Sequence, residues 1–391
     1  MLPLEGITVV SLEHAIAAPF ATRQLADMGA RVIKVERPGV GDFARSYDTR
    51  VNGMASHFVW TNRSKESLTL DVKHSDGADI LQKLVTKADV VVQNLAPGAA
   101  ARLGLGYEDL SKTNSGVIVC NISGYGRGGP DENRKAYDLL IQSESGFVTT
   151  TGTPNCPSKA GISIADIAAG MYAYTNILTA LMQREKTRKG CEIDLSMLDA
   201  MTEWMSYPLY YAYEGAEPPA RAGASHATIF PYGPFAVGDR RTVILGLQNE
   251  REWKAFCDVV LEAPGLATDS RFSSNSLRAE NKIALTQIIT SSFDDLTTEA
   301  VIERLDRASI ANANMNDMSD VWHHVQFEAR NRWREVQTPK GSIPALLPPG
   351  GIGSEPRMDA VPALGEHSAD LLAELGYSGS EISRLQNERV I

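Results

Sequence analysis

The four cysteines, Cys120, Cys156, Cys191 and Cys257, are scattered and form no C-x-x-C pair. Such spacing offers no zinc-ribbon or dithiol redox site and suits a reducing compartment. No apolar run approaches the roughly 20 residues that a membrane-spanning helix needs. The first residues, Met1–Val10, carry no basic stretch ahead of an apolar one, so they do not read as a signal peptide. Basic charge is also in short supply. Lys and Arg number 38 against 48 Asp and Glu, the net charge is −10, and no long basic stripe offsets it. The expectation is a soluble cytoplasmic protein with no membrane or nucleic-acid partner. A small polyanionic ligand requires Arg and Lys to converge locally.

Glycine is missing where a dinucleotide site would need it. The turn after the first strand-like run, His14–Pro19, contains none, so the G-x-G-x-x-G pattern is absent there. Gly124–Pro130 is glycine-rich and follows a strand, but Pro130 closes it and no Lys-Ser/Thr pair follows. It is neither a phosphate-binding loop nor a dinucleotide fingerprint, and a nicotinamide-dependent dehydrogenase is disfavoured.

What is present is a globular composition, with 43% hydrophobic and 22% charged residues over 391 positions, enough for two domains. Strand and helix patterns alternate through the first third. Ile7–Leu12, Arg31–Glu36, Leu68–Val72, Val90–Gln93 and Val117–Ile122 read as strands, and Ala18–Met28 and Ala78–Val85 as helices. Strands spaced by helices predict parallel pairing, hence a doubly wound, Rossmann-like α/β sheet. A long helix over Ile167–Arg184, a strand at Glu192–Leu195 and an aromatic-rich helix over Met197–Tyr213 follow. Glu217–Gly223 reads as a linker. Beyond it the pattern gives strands Ile229–Val237 and Thr242–Leu247 and helices Arg251–Leu261, Lys282–Phe293 and Thr298–Leu305, a smaller α+β domain. Strand signals return at Trp333–Val336 and Ser342–Leu346, and helices Ser368–Leu375 and Gly379–Asn387 finish the chain. The expected division is a large α/β domain over 1–215, a small domain over 216–325, and a return to the large one over 326–391.

Asp166 stands where the long helix begins, among free backbone N–H groups and at the positive end of the helix dipole. One role for it is an N-cap. Another is a carboxylate held ionised so that it can attack a carbonyl and carry a covalent intermediate.

Taken in order, several segments resemble the class III CoA-transferase family, which also contains α-methylacyl-CoA racemases. They are Leu4–Val9, Gly29–Glu36 with Gly41-Asp42, Asn62–Asp71, Asn94–Gly98 with Leu103–Tyr107, Ser123–Gly126, and Leu364–His367. The resemblance covers almost the whole chain. It implies an intertwined homodimer, a large domain built from both ends of the chain, and a small domain from its middle. It implies CoA-binding residues at Ala15, Ile16, Ala17, Arg37, Leu70, Lys73, Asn94, Leu95, Arg102, Lys135 and Tyr137. An acidic protein must gather such cations to hold a 3′-phosphate and a pyrophosphate. No metal and no tightly bound cofactor are implied; an acyl-CoA thioester and a free carboxylic acid are the substrates.

Transferase and racemase part at Lys135–Asp138. The racemases carry a histidine where this chain has Tyr137, and a phenol with an ordinary pKa near 10 is a poor base at neutral pH. The mechanism the resemblance implies runs through an Asp166 anhydride and an aspartyl-CoA thioester, with oxyanion donors expected from the Gly161–Ala165 turn and the N–H groups after Asp166. Asp138 stands where oxalate-using members have glutamate, Ile16 where they have a glutamine that contacts the active site, and the mobile glycine-rich loop of their small domain has no evident counterpart. A different acceptor is therefore expected, a four- or five-carbon dicarboxylate such as succinate, malate, citramalate, mesaconate or itaconate. Arg45 and His226 are the candidates to pair with its distal carboxylate, with Asp138 beside them. A 2-methylacyl-CoA racemase and a non-catalytic CoA-binding protein remain the alternatives.

Overall fold

Six strands pair in parallel into one sheet: β1 (Thr8–Leu12), β2 (Arg31–Glu36), β3 (Lys65–Thr69), β4 (Val90–Gln93), β5 (Ile118–Ser123) and β6 (Cys191–Ser196). Their order across the sheet is β3-β2-β1-β4-β5-β6, so the winding reverses between β1 and β4. In an open α/β sheet that reversal leaves a crevice at the carboxyl ends of the strands. The computed structural model describes residues 1–351 and 353–391. The chain divides into two compact units, the first made of Met1–Phe147, Ala160–Tyr207 and Phe327–Ile391, the second of Val148–Lys159 and Pro208–Gln326.

The sheet is covered on both faces, and the alternation of side chains sorts each strand between two cores. Val9, Val32, Val90, Val92, Ile118 and Cys120 pack with helix α1 (Ala17–Asp27) and the long helix Ile164–Thr187. Their neighbours Val10, Ile33, Val91 and Val119 turn the other way, against helix Ser75–Thr86 and the C-terminal helices Ser368–Glu374 and Gly379–Asn387. We call Asp138–Glu144 α2 and Ile164–Thr187 α3. The buried face of α3 is built of Ala165, Ala168, Ala169, Gly170 and Ala173, so α1 approaches it closely. A Cβ on Gly170 would lie 2.7 Å from the Ala17 carbonyl oxygen and 2.9 Å from the Phe20 ring. The carbonyl belongs to backbone and cannot step aside. Gly170→Val is therefore expected to lower unfolding stability by about 1–3 kcal/mol, read as a drop in the urea midpoint at unchanged slope. An unchanged midpoint would mean that the two helices slide apart freely.

Residues from the end of the chain complete the first unit. β3 is an edge strand, and an edge leaves unpaired donors and acceptors. Here the Ser67 N–H donates to His367 Nδ1 at 3.2 Å, and the His367 N–H to the Ser67 carbonyl at 3.1 Å. The Thr69 N–H donates to Ser368 Oγ at 3.0 Å. The Leu364–His367 motif thus covers the sheet margin.

The second unit has its own antiparallel sheet, β7 (Tyr232–Ala236), β8 (Thr242–Gly246) and β9 (Ala311–Asn314), with β8 central. Trp253, Phe256, Phe272, Ile289, Phe293 and Leu305 form its core. Residues 148–159 are tied into this unit by Arg221, which donates to the carbonyls of Thr149, Thr153 and Pro154.

Candidate active site

Asp166 lies in the first turn of α3, but it is not the cap. The N-cap position is Ser163, whose side chain makes no capping bond. The capping is done by Asp138, the first residue of α2, whose Oδ1 accepts from the Ala165 N–H at 2.9 Å and the Asp166 N–H at 3.4 Å. Its other oxygen accepts from Gln142 Nε2 at 2.6 Å. The Ile167 N–H is taken by the Ser163 carbonyl. The donors expected around Asp166 for an oxyanion are thus largely occupied.

The consequence for Asp166 is electrostatic. Its half-buried carboxylate accepts no hydrogen bond among the described residues. Burial raises its pKa, and the neighbouring Asp138 charge adds to the effect, to about 7. The sequence reading expected the helix end to keep this group ionised. Burial reverses that, and Asp138 adds to it by occupying the N–H groups of the helix start with its own charge.

Beside this helix lies the turn between β1 and α1. Asn94 clamps it from both sides: Oδ1 accepts from the His14 N–H and Nδ2 donates to the His14 carbonyl, each at 2.9 Å. Asp42 Oδ1 accepts from the Ala15 N–H at 3.1 Å, with Ala15 at φ +61°. A non-glycine residue in the left-handed region costs about 1–3 kcal/mol and persists where its surroundings impose it. Under the turn is a buried ionic network. Glu13 meets Lys65 at 2.7 Å and Lys34 at 3.5 Å, Lys34 meets Asp42 at 2.7 Å, and Glu36 meets Arg45 at 2.8 Å. Burial alone would raise the carboxyl of Asp42, yet Lys34 holds it well below the ordinary range. Burial lowers the Lys65 ammonium to about 8 against the pull of Glu13.

α1 begins without a side-chain cap and without an acid in its first turn. The N–H groups of Ala17 and Ala18 have no acceptor among the described residues. Such a terminus suits a phosphate group. Arg37 directly follows β2 and Lys73 comes shortly after β3, while Arg102 ends the short helix Ala99–Arg102 after β4 and Lys135 lies in the loop between β5 and α2. All four side chains are exposed, and among the described residues none forms an ion pair or hydrogen bond. That contrasts with Arg23, Arg31, Arg63 and Arg184, each tied to a carboxylate.

The other candidates take different places. Leu70 is 1% exposed and belongs to the core, so only its backbone can face a ligand. Leu95 packs partly against the same core, and Ile16 and Ala17 are buried at the start of α1. Arg45 is not free for an acceptor. Its guanidinium forks onto Glu36 at 2.8 Å through two nitrogens and lies 3.8 Å over the Phe58 ring. His226, in the second unit, is a turn residue. Its Nδ1 accepts from the Thr228 and Ile229 N–H groups, and its ring stacks on Tyr232. Tyr137 is 67% exposed and precedes α2, so it is not a packed core aromatic. The Tyr47 hydroxyl is pushed up to about 12 by burial, then by Asp42, Asp166 and Tyr137 in turn.

Sequence reading passed over Glu13, Lys34 and Lys65. A signal existed, since a lysine inside a strand buried on both faces demands a buried anion.

The first unit thus combines a doubly wound parallel sheet, a helix α1 that starts without a cap, exposed cations that follow successive strands, and a carboxylate of raised pKa on α3. The chain belongs to CoA-transferase family III, whose description matches residues 4–368. Among curated relatives, succinyl-CoA:glutarate CoA-transferase of Mus musculus is 34% identical over 397 residues, covering 100% of this chain and 91% of that protein. Acetyl-CoA:oxalate CoA-transferase of Acetobacter aceti is 35% identical over 331 residues, covering 84% and 85%. A CAIB/BAIF family protein from Brucella suis has a solved structure that superposes with a TM-score of 0.86 at 33% identity, covering 96% of this chain and 99% of that one. Among the described residues no helix is long and apolar enough to cross a membrane.

Proposed function

We propose that this chain moves CoA from an acyl-CoA donor to a carboxylic acid acceptor, with Asp166 as the transient acyl carrier. The observation that carries the reading is the Asp166 carboxylate itself: half-buried, unbonded and raised to about 7. A carboxylate stripped of hydrogen bonds is a better nucleophile than a solvated one, and the anhydride it forms is partly sheltered from water. Arg37, Lys73, Arg102, Lys135 and the Ala17–Ala18 N–H groups hold the CoA phosphates in this account. The acceptor is a dicarboxylate, as the names of the succinate- and glutarate-using relatives suggest. α-Proton exchange is not part of it, because Tyr137 replaces the histidine that the racemases use. The exposed Trp204, Tyr207, Tyr210 and Tyr213 support a homodimer as part of the same reading.

The test is to incubate the protein with succinyl-CoA, trap with hydroxylamine and map the product by peptide mass. A hydroxamate on the Asp166 peptide is expected. Its yield in a short pulse should fall as pH drops below about 7, since the protonated acid cannot attack. Labelling elsewhere, or none at any pH, removes the proposal.

A further inference from the structure

His14 is held more firmly than a turn residue needs to be. Both of its backbone polar groups bond Asn94, and the next N–H bonds Asp42. Its ring stacks on Phe43 with centroids 5.1 Å apart and planes 22° from parallel. Nδ1 is enclosed, makes no hydrogen bond, and lies 3.8 Å from Asp42 Oδ1. Asp42 is charged, with Lys34 on its far oxygen. A carboxylate behind Nδ1 fixes a proton there, so this ring meets its surroundings through Nε2. Nε2 has no partner among the described residues and is not enclosed.

The turn sits beside the nucleophile. Ala17, three residues on, touches Gly170, and Gly170 lies one helical turn past Asp166 on the same face. Tyr47 feels the charge of both Asp42 and Asp166. In an exchange among thioester, anhydride and carboxylate, one stable species gains a basic pair, the CoA sulfur. Thiols titrate near 8.5, within reach of an imidazole.

Building on the transferase reading, we propose that His14 is the acid and base for the CoA sulfur. As Asp166 Oδ bonds the acyl carbon and the C–S bond breaks, the electron pair goes to sulfur and the imidazolium Nε2 proton follows it. The neutral imidazole takes that proton back when the thiol attacks the anhydride. No proton is gained or lost over the cycle.

The experiment measures release of CoA thiol from succinyl-CoA in a single turnover without acceptor, by rapid quench, from pH 5 to 10. The groups facing the ring are Asp42, then Lys34, Glu13 and Lys65 behind it, and Tyr47 across Phe43. Wild type should rise through about pH 7 as Asp166 ionises. His14→Gln keeps the size and a donor but cannot transfer a proton. It should be about 100-fold slower at pH 7 and keep the rising limb set by Asp166. His14→Asn carries the same expectation if the glutamine variant does not fold. A rate within about threefold of wild type overturns the proposal. A wild type that releases no thiol and forms no hydroxamate fails the transferase reading instead, and His14 with it.

Discussion

Asp166→Asn is expected to lower CoA transfer by about 10³-fold or more and, at the same time, to stabilise the fold. The first effect follows because an amide cannot form the anhydride, and losing a nucleophile removes most of the chemical acceleration. The second follows from linkage. In the folded chain Asp166 holds its proton up to about pH 7, whereas in the unfolded chain it ionises near 3.8. Its contribution to stability is therefore fully present below about pH 4 and is lost as pH rises through 7. Asparagine carries no such penalty. Discounted for partial exposure, the variant should gain roughly 1–2 kcal/mol at pH 8, and the advantage should vanish near pH 4. Thermal unfolding at the two pH values and acyl exchange at pH 8 check both halves. A variant that is less stable yet still active would make Asp166 a structural residue.

Glu13→Gln is expected to cost about 3–5 kcal/mol, because it leaves two buried ammonium groups facing one amide. Glu13 is fully buried, with Lys65 at 2.7 Å, Lys34 at 3.5 Å and the Thr22 hydroxyl at 2.6 Å. Lys34 retains Asp42, but Lys65 is left with only the Asn62 and Pro19 oxygens. The loss should depend on pH. Lys65 already titrates near 8, and without Glu13 it sheds its proton sooner. The attraction lost exists only while Lys65 is charged, so the deficit should be larger at pH 6 than at pH 9. Urea midpoints at those values measure it. A small, pH-independent deficit would mean that water reaches the network.

How much of this could be read in advance depended on whether a residue's reason was local. The sheet was legible because strands buried on both faces are continuous apolar runs; Arg31–Glu36 and Val90–Gln93 fall where the pattern placed them. β3 was displaced, starting at Lys65 rather than Leu68, because Lys65 and Ser67 look like surface residues until Glu13 and Glu36 are seen beside them. The helix expected over Met197–Tyr213 breaks after Trp204 and resumes at Ser206–Tyr211, a division the aromatic pattern does not mark. α2 was missed, since its seven residues leave Leu139 and Leu140 exposed and show no apolar face. Asp166 was legible as a helix-start carboxylate. That another helix would supply its cap was not, because Asp138 is distant in sequence. Arg45 shows the same limit: a free guanidinium and one clasped by Glu36 are spelled alike.

A ribosome making this chain releases all six parallel strands by Ser196, yet the outermost strand cannot be sealed then. The acceptors and donors that seal it, at His367 and Ser368, together with the Val390 carbonyl that receives the Asp71 N–H, follow only after the second unit. Until they emerge, the nascent sheet exposes a bare ribbon able to pair with a neighbouring chain. Sealing of that edge therefore waits for residues that follow the whole of the second unit in the chain.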